Sequence, residues 1–206
     1  MHAATSKFAV VAGLLLAAAP GIGSAQGWRA TESRDLLTPY GEYALFGGGV
    51  SSFTSSATKD RFDTGGTWDV RLGLGSRYYV GGELAYVGSA RGGAGAGSDL
   101  VTNGAEAVLR LQYPFATGTW LVEPFAFGGL GWSHQSLRNA APGLKSSGDA
   151  GIVPFGAGVT LGYGRFLLDA RFTYRTSFSE ELKLAVSQGA ADLSQWDVGA
   201  SIGYEF

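Results

Sequence analysis

The sequence of 206 residues contains no cysteine. This absence excludes a disulfide framework, thiol catalysis and a cysteine metal site. Charged residues are scarce too: they make up 16% of the chain, against about a quarter in an average soluble domain. The formal net charge of −2 provides no basic field for nucleic acid, so no nucleic-acid partner is expected.

Long apolar runs are also missing beyond residue 25. No uncharged stretch there approaches the roughly 20 residues that a membrane-spanning helix requires. Hydrophobic residues nevertheless account for 45% of the chain, and its 34 glycines are spread through alternating segments. Much apolar surface without long apolar runs favours strands that alternate between an apolar and a polar face.

The N-terminus has the pattern of a secretory signal peptide over residues 1–25. Lys7 supplies the positive start, residues 8–19 form a short apolar core, and Gly23-Ser24-Ala25 is a small-residue cleavage site. Cleavage is therefore expected after Ala25, with residues 26–40 as a polar periplasmic lead-in. The alternative is an uncleaved membrane anchor, which the short core disfavours, and the lack of cysteine excludes a lipoprotein.

Residues 196–206 show the clearest strand pattern. Apolar side chains occupy every second position from Trp196 to Phe206, and small or charged ones lie between them. A strict period of two indicates a strand with two unlike faces. At about 3.3 Å per residue and a tilt near 45°, such a strand spans the hydrocarbon core of a bilayer.

Seven further segments show related alternation, and long and short connections follow one another along the chain. Strands joined by short turns are antiparallel. The pattern predicts an all-β fold, an eight-stranded antiparallel up-and-down transmembrane β-barrel over residues 41–206. The eight predicted strands are 42–50, 67–74, 78–88, 104–113, 119–132, 151–163, 165–176 and 196–206.

The segment 119–132 is the least regular of the eight. Pro124 interrupts its alternation, and a strand proline is expected at a bulge or an edge. The sequence leaves open whether Phe125 and Phe127, or Leu130 and Trp132, face outward beyond it.

Alternation alone does not decide which face is inside, since a soluble lipocalin-type barrel also has eight strands. The position of the aromatic residues favours a membrane barrel, because they cluster near both strand ends and flank an aliphatic band. Near the short turns lie Tyr78, Tyr113, Trp120, Tyr163, Phe166, Tyr204 and Phe206; near the long loops lie Trp68, Tyr86, Tyr174 and Trp196.

The opposite face then lines the lumen, and it carries charges of both signs. An eight-stranded barrel is just wide enough for side chains to fill, and buried charges must be paired. A packed salt-bridge network is favoured over an ion pathway. The predicted lumen polar network comprises Asp69, Arg71, Glu83, Glu106, Arg110, Asp169, Arg171, Arg175, Asp197 and Glu205.

Over residues 41–206 the chain resembles the OmpA/OmpX-type eight-stranded outer-membrane barrels of Gram-negative bacteria. The resemblance rests on the Ala-x-Ala-like cleavage site, FGGGV in the first strand, EPFAFGGLGW in the fifth and the terminal GYEF. It implies that Tyr204 and Phe206 form the C-terminal assembly signal read by the outer-membrane assembly machinery. Larger proteins with such a barrel carry a C-terminal peptidoglycan-binding domain, and none is expected here.

Candidate catalytic chemistry is sparse. His134 and Ser136 form a His-x-Ser pair that resembles the pair of barrel lipid A deacylases, but Leu137 stands where that family has Asn, and no acidic partner can be assigned. An exposed loop histidine is the favoured interpretation. No metal-ligand spacing occurs, so no catalytic, metal or cofactor site is expected and the chain is not predicted to be an enzyme.

Six basic residues in the predicted loops offer contacts to lipopolysaccharide phosphates, although acidic neighbours favour an ordinary solvated surface. The sequence thus predicts a monomeric, non-enzymatic barrel of the Gram-negative outer membrane, with membrane lipids and lipopolysaccharide as partners and a structural, anchoring role. The alternatives are a narrow pore and a lipid A-modifying enzyme. The six basic residues are Lys59, Arg61, Arg91, Arg138, Lys145 and Lys183.

Overall fold

The structure is a computed structural model, and it describes residues 41–60, 62–93, 99–138, 147–178 and 194–206. These ranges belong to one compact unit, Asp35–Phe206. The predicted signal peptide with its cleavage site at Ala25, the lead-in, and the loop residues Arg61, Lys145 and Lys183 lie outside the described residues.

The described chain is almost entirely strand, with a single four-residue helix, α1 (Ser56–Lys59). The nine strands are β1 (Gly41–Phe53), β2 (Gly65–Ser76), β3 (Val80–Gly92), β4 (Asp99–Gln112), β5 (Phe115–Thr117), β6 (Trp120–Arg138), β7 (Ser147–Tyr163), β8 (Phe166–Phe178) and β9 (Gln195–Glu205). No helix in the described ranges is both long and apolar enough to cross a membrane.

The sheet closes on itself. Its strand order is β4-β3-β2-β1-β9-β8-β7-β6-β5, all neighbours pair antiparallel, and a further β4–β6 pairing joins the two ends. β5 is a three-residue strand that pairs only with the start of β6, so the barrel wall consists of the eight other strands. The predicted eight-stranded antiparallel up-and-down barrel is confirmed.

Most strands run further toward the long-loop end than the sequence pattern predicts. β6 continues to Arg138 instead of ending at residue 132, and β4 begins at Asp99 instead of residue 104. Asp99 pairs with Arg138, so the β4–β6 ladder holds over its whole length. The backbone pairs whether or not an apolar face accompanies it, and the apolar alternation marks only the part of each strand that needs lipid contact.

The apolar face of the barrel points outward, as the aromatic clustering predicts. Leu109 is 69% exposed and Phe172 is 47% exposed, whereas Arg171 is 4% and Asp197 is 6% exposed. Exposed aromatics lie at both ends of the wall, among them Trp120 at the short turns and Trp68 at the long loops. A barrel with charges inside and an aliphatic belt outside suits a hydrocarbon environment, since a closed sheet pairs its backbone groups internally.

β6 keeps a single register through Pro124, which pairs with Val159, so no bulge interrupts the strand there. The Pro124 carbonyl accepts a hydrogen bond from the Tyr113 amide at 3.0 Å, one residue beyond the end of β4. Pro124 lacks a backbone amide donor, but it lies just beyond the last residue pair of the β4–β6 ladder. Its missing hydrogen bond therefore does not interrupt that ladder, and no bulge is needed.

The unbroken register also resolves the orientation that the sequence left open. Phe125 and Phe127 are buried in the lumen, and Leu130 and Trp132 are exposed on the outer face. The aromatic rings inside the barrel mean that the lumen is packed with apolar as well as charged side chains.

Candidate functional site: the barrel lumen

The lumen is organised around the carboxylate of Glu83, which projects inward from β3. Its oxygens lie 2.6 Å from Arg110 Nη1 and 2.9 Å from Arg171 Nη1, and Arg71 Nη1 is 3.7 Å away. The Tyr43 hydroxyl donates a further hydrogen bond of 2.7 Å to Oε1. Three guanidinium groups from three strands thus share one buried carboxylate, an arrangement that is stable only because each charge is compensated.

Asp169 on β8 is the second acid at this level. Its Oδ1 lies 2.6 Å from Arg171 Nε, and its Oδ2 accepts a 2.9 Å hydrogen bond from the Thr160 hydroxyl. Arg110 Nη2 donates to the same hydroxyl at 3.1 Å and lies 3.4 Å from Glu123 Oε1 on β6. We call Glu83, Asp169, Arg110 and Arg171 the central cluster; it links β3, β4 and β8 across the lumen.

Aromatic rings from β6 form one wall of the central cluster. The Arg110 guanidinium lies 3.8 Å from the Phe125 ring centroid, and that of Arg171 lies 5.1 Å from Phe125 and 5.5 Å from Phe127. These are cation–π distances in a desolvated site, where such contacts contribute most. The rings fill the space that glycines at 156 and 158 leave on the neighbouring strand, since a Cβ at Gly158 would lie 2.6 Å from Phe125 Cζ.

Toward the long loops the charges continue in smaller groups. Arg175 Nε lies 2.5 Å from Glu106 Oε1, and Arg71 Nε lies 2.8 Å from Asp69 Oδ1. The Ser201 hydroxyl donates to the same Asp69 oxygen at 3.2 Å. Asp197 is buried at this end, whereas Asp69 is the most exposed of the ten predicted network residues, at 13% of its side chain.

The short-turn end is closed by Arg77, a residue that the sequence assigns only to a tight connection. Its Nη2 lies 2.7 Å from Glu205 Oε2 and donates to the Gly164 carbonyl at 2.7 Å. Its amide donates to Glu123 Oε2 at 2.9 Å. Arg77 has φ of 67°, in the left-handed region that few non-glycine residues adopt, and these contacts across the barrel mouth hold it there.

A small apolar cluster lies at the long-loop end. Phe53, Phe62 and Leu100 are buried against one another, and Leu137 packs on them. Arg91 lies beneath, with its guanidinium 4.1 Å from the Phe53 ring centroid and a hydrogen bond from Nη2 to the Ser51 hydroxyl at 2.6 Å. The sequence places Arg91 among the exposed basic loop residues, and that assignment is wrong because β3 extends to Gly92 and turns Arg91 into the lumen.

The structure buries nine of the ten predicted network residues, and the tenth, Asp69, is partly buried. Eight of the ten form ion pairs of 3.9 Å or less with one another. Of the remaining two, Glu205 pairs with Arg77 instead, and Asp197 forms no such pair with the other nine. The sequence missed Tyr43, Arg77 and Glu123. Continuing the alternation of β6 through Pro124 would have placed Glu123 inward. No periodic signal marks Arg77, because it lies in a turn.

His134 lies at the long-loop rim, where it faces an acidic partner that the sequence did not identify. His134 Nδ1 is 2.9 Å from Asp149 Oδ1, across the β6–β7 pairing. Both side chains are partly exposed, at 28% and 46%. Within the described ranges, no group of three or more His, Asp and Glu is arranged to hold a metal ion.

The fold defines a class: a closed eight-stranded antiparallel barrel with an apolar exterior and a charged lumen. No family model matches the sequence. No curated protein matches it either.

Solved structures share this architecture. The N-terminal β-barrel domain of Pseudomonas aeruginosa OprF is similar at 16% identity, covering 82% of this chain and 98% of that one, with a TM-score of 0.51. Neisserial surface protein A has 16% identity, the same two coverages and a TM-score of 0.48. A major outer membrane protein from Thermus thermophilus has 12% identity, covers 82% of this chain and 100% of that one, and has a TM-score of 0.48. At this identity the OprF domain establishes the fold, and the predicted OmpA/OmpX-type resemblance is confirmed at that level.

Proposed function

We propose that the protein is a monomeric outer-membrane barrel of a Gram-negative bacterium with a structural role. It would anchor in the outer membrane, contact membrane lipids and lipopolysaccharide, and present its long loops at the cell surface. Tyr204 and Phe206 would act as the signal for the assembly machinery, and cleavage after Ala25 would release the mature chain. The apolar exterior and the fold shared with the OprF domain support the location.

One observation favours the structural role over a pore: packed and paired side chains lie across the lumen at three levels. Arg77 lies across the short-turn end, the central cluster occupies the middle, and the apolar cluster of Phe53, Phe62 and Leu100 lies toward the long-loop end. Between Tyr43, Leu45 and Arg110 the remaining space is too small for a water molecule. Ions passing through this lumen would have to separate charges that are buried and paired.

Conductance separates the two functions. We expect the refolded protein to show no steady single-channel current in a planar bilayer, and Arg138→Ala, at the exposed rim, to behave in the same way. Arg171→Ala removes a guanidinium from the central cluster and serves as the lumen variant. A steady current in the wild-type protein that changes in Arg171→Ala would support the narrow pore instead.

The His134–Asp149 contact supports a second candidate, hydrolysis of lipid A at the outer rim. A carboxylate within hydrogen-bond distance of a histidine holds the ring in one orientation, as general-base chemistry requires. The measurement is mass spectrometry of lipid A from cells that express the wild-type protein or His134→Ala. Identical lipid A spectra from cells with the wild-type protein, cells with His134→Ala and cells with neither protein would remove this candidate.

A further inference from the structure

A groove of about 640 Å³ lies on the outside of the barrel at its short-turn end, across β6, β7, β8, β9 and β1. Its smallest outward side chain is Ala44, which pairs with Tyr204 in the β1–β9 ladder. Phe46 and Phe206 are strongly exposed on either side of that position.

Aromatic pairs give the groove a fixed shape. The Phe166 and Tyr204 rings pack edge-on with their centroids 5.7 Å apart. The ring centroids of Trp120 and Tyr163 are 4.9 Å apart. These rings belong to the aromatic belt at the short-turn end, the level at which lipid headgroups meet the acyl chains. A molecule in the groove would therefore have an apolar part along the strands and a polar part at the rim.

Among the described residues, one cation lies at the rim of the groove. Arg165 is exposed in the β7–β8 turn, with its guanidinium 6.0 Å from the Tyr204 ring centroid and Nη1 3.4 Å from the Tyr204 hydroxyl. No carboxylate of the described residues lies within ion-pair distance of it, in contrast to the paired arginines of the lumen. Its planar guanidinium can donate to a phosphate in a bidentate contact.

We propose that this groove binds one glycerophospholipid with an anionic headgroup, its acyl chains lying over Ala44 and its phosphate on Arg165. The inference rests on the membrane-embedded barrel of the proposed function and adds a lipid class and a site. Short turns of such barrels face the periplasm, so the lipid comes from the inner leaflet. A lone arginine near the surface selects a headgroup with a net negative charge over a zwitterionic one.

Native mass spectrometry of the refolded protein with equal amounts of phosphatidylglycerol and phosphatidylcholine tests this site. We expect the wild-type protein to retain phosphatidylglycerol about fivefold more than phosphatidylcholine, the preference that one surface arginine provides. Arg165→Ala should lose the preference, Arg165→Lys should keep the part of it that depends on charge alone, and Arg138→Ala should keep it in full. Ala44→Trp, which fills the groove, should reduce retention of both lipids.

Equal preference in Arg165→Ala and wild type would overturn the phosphate contact. Full retention in Ala44→Trp would overturn the groove and reduce the effect of Arg165 to general surface attraction. Folding is checked by the shift in electrophoretic mobility between boiled and unboiled samples. A wild-type protein that shows no such shift in membranes would contradict the proposed function itself, which separates that failure from the failure of the lipid site.

Discussion

Replacing Glu83 by Gln is expected to lower the free energy of unfolding by about 3–5 kcal/mol, the loss typical of removing one partner of a buried ion pair. The substitution keeps the shape of the side chain but leaves Arg71, Arg110 and Arg171 without their shared charge. Each arginine keeps one other carboxylate, that of Asp69, Glu123 and Asp169 respectively, but the carboxylate common to all three is lost. The measurement is urea unfolding of the protein folded into phospholipid vesicles, followed by tryptophan fluorescence.

Two further variants make this prediction specific. Asp99→Asn removes an acid at the exposed start of β4 and should change stability by about 0–1 kcal/mol, as for other surface charges. The double variant Glu83→Met with Arg171→Met should recover part of the loss, since an apolar pair can replace a buried ion pair. A Glu83→Gln protein as stable as Asp99→Asn would mean that the central cluster is hydrated and does not pack the lumen.

A positive charge placed in the aliphatic belt on the outside of the barrel is expected to cause the second large loss of stability. Leu109 lies on the outer face of β4, midway between Ala105 and Tyr113. Ala105 pairs with Tyr86, an aromatic residue near the long loops, and Tyr113 lies at the short turns. Leu109→Arg should destabilise the barrel in vesicles by about 2–4 kcal/mol, the range for arginine at the midplane of a bilayer. Unfolding in the same vesicles measures it.

Tyr113→Arg provides the matched control on the same side of the same chain segment. It lies at the interface, where a lipid-facing arginine should cost only about 0–1 kcal/mol. A belt that faced water would instead tolerate both substitutions equally. The difference between the two variants therefore reports the depth of Leu109 in the membrane and is independent of the loops.

The sequence predicts the barrel well because its fold is set by a period of two, and each strand repeats the same signal. β9 and β8 show this, since every second residue faces lipid and the faces observed are those the alternation indicates. The pattern is weaker where strands leave the membrane. The sequence assigns Arg91 wrongly to a loop because pairing beyond the apolar belt requires no apolar alternation.

The lumen is harder to predict than the wall. Alternation identifies which charges point inward, so Glu83 and Arg171 are foreseeable as members of one network. Their actual partners depend on strand stagger and side-chain length, which sequence spacing does not fix. Arg77 illustrates the limit, because its position depends on a left-handed turn conformation and on acceptors from β6, β9 and the β7–β8 turn. Pro124 illustrates the opposite case, where a residue expected to break the pattern coincides with the end of a ladder.

The absence of cysteine allows the orientation of the apolar face to be determined with single spin labels. Cysteines introduced in place of Leu109, Phe172 and Ile202 would carry nitroxides on the refolded protein in vesicles, with Asp99→Cys as the label outside the membrane. We expect the first three to collide more often with oxygen, which concentrates in lipid, than with a water-soluble nickel complex, and the label at 99 to show the reverse. Nickel accessibility above oxygen accessibility at Leu109, Phe172 and Ile202 would contradict a barrel that turns its apolar face to lipid.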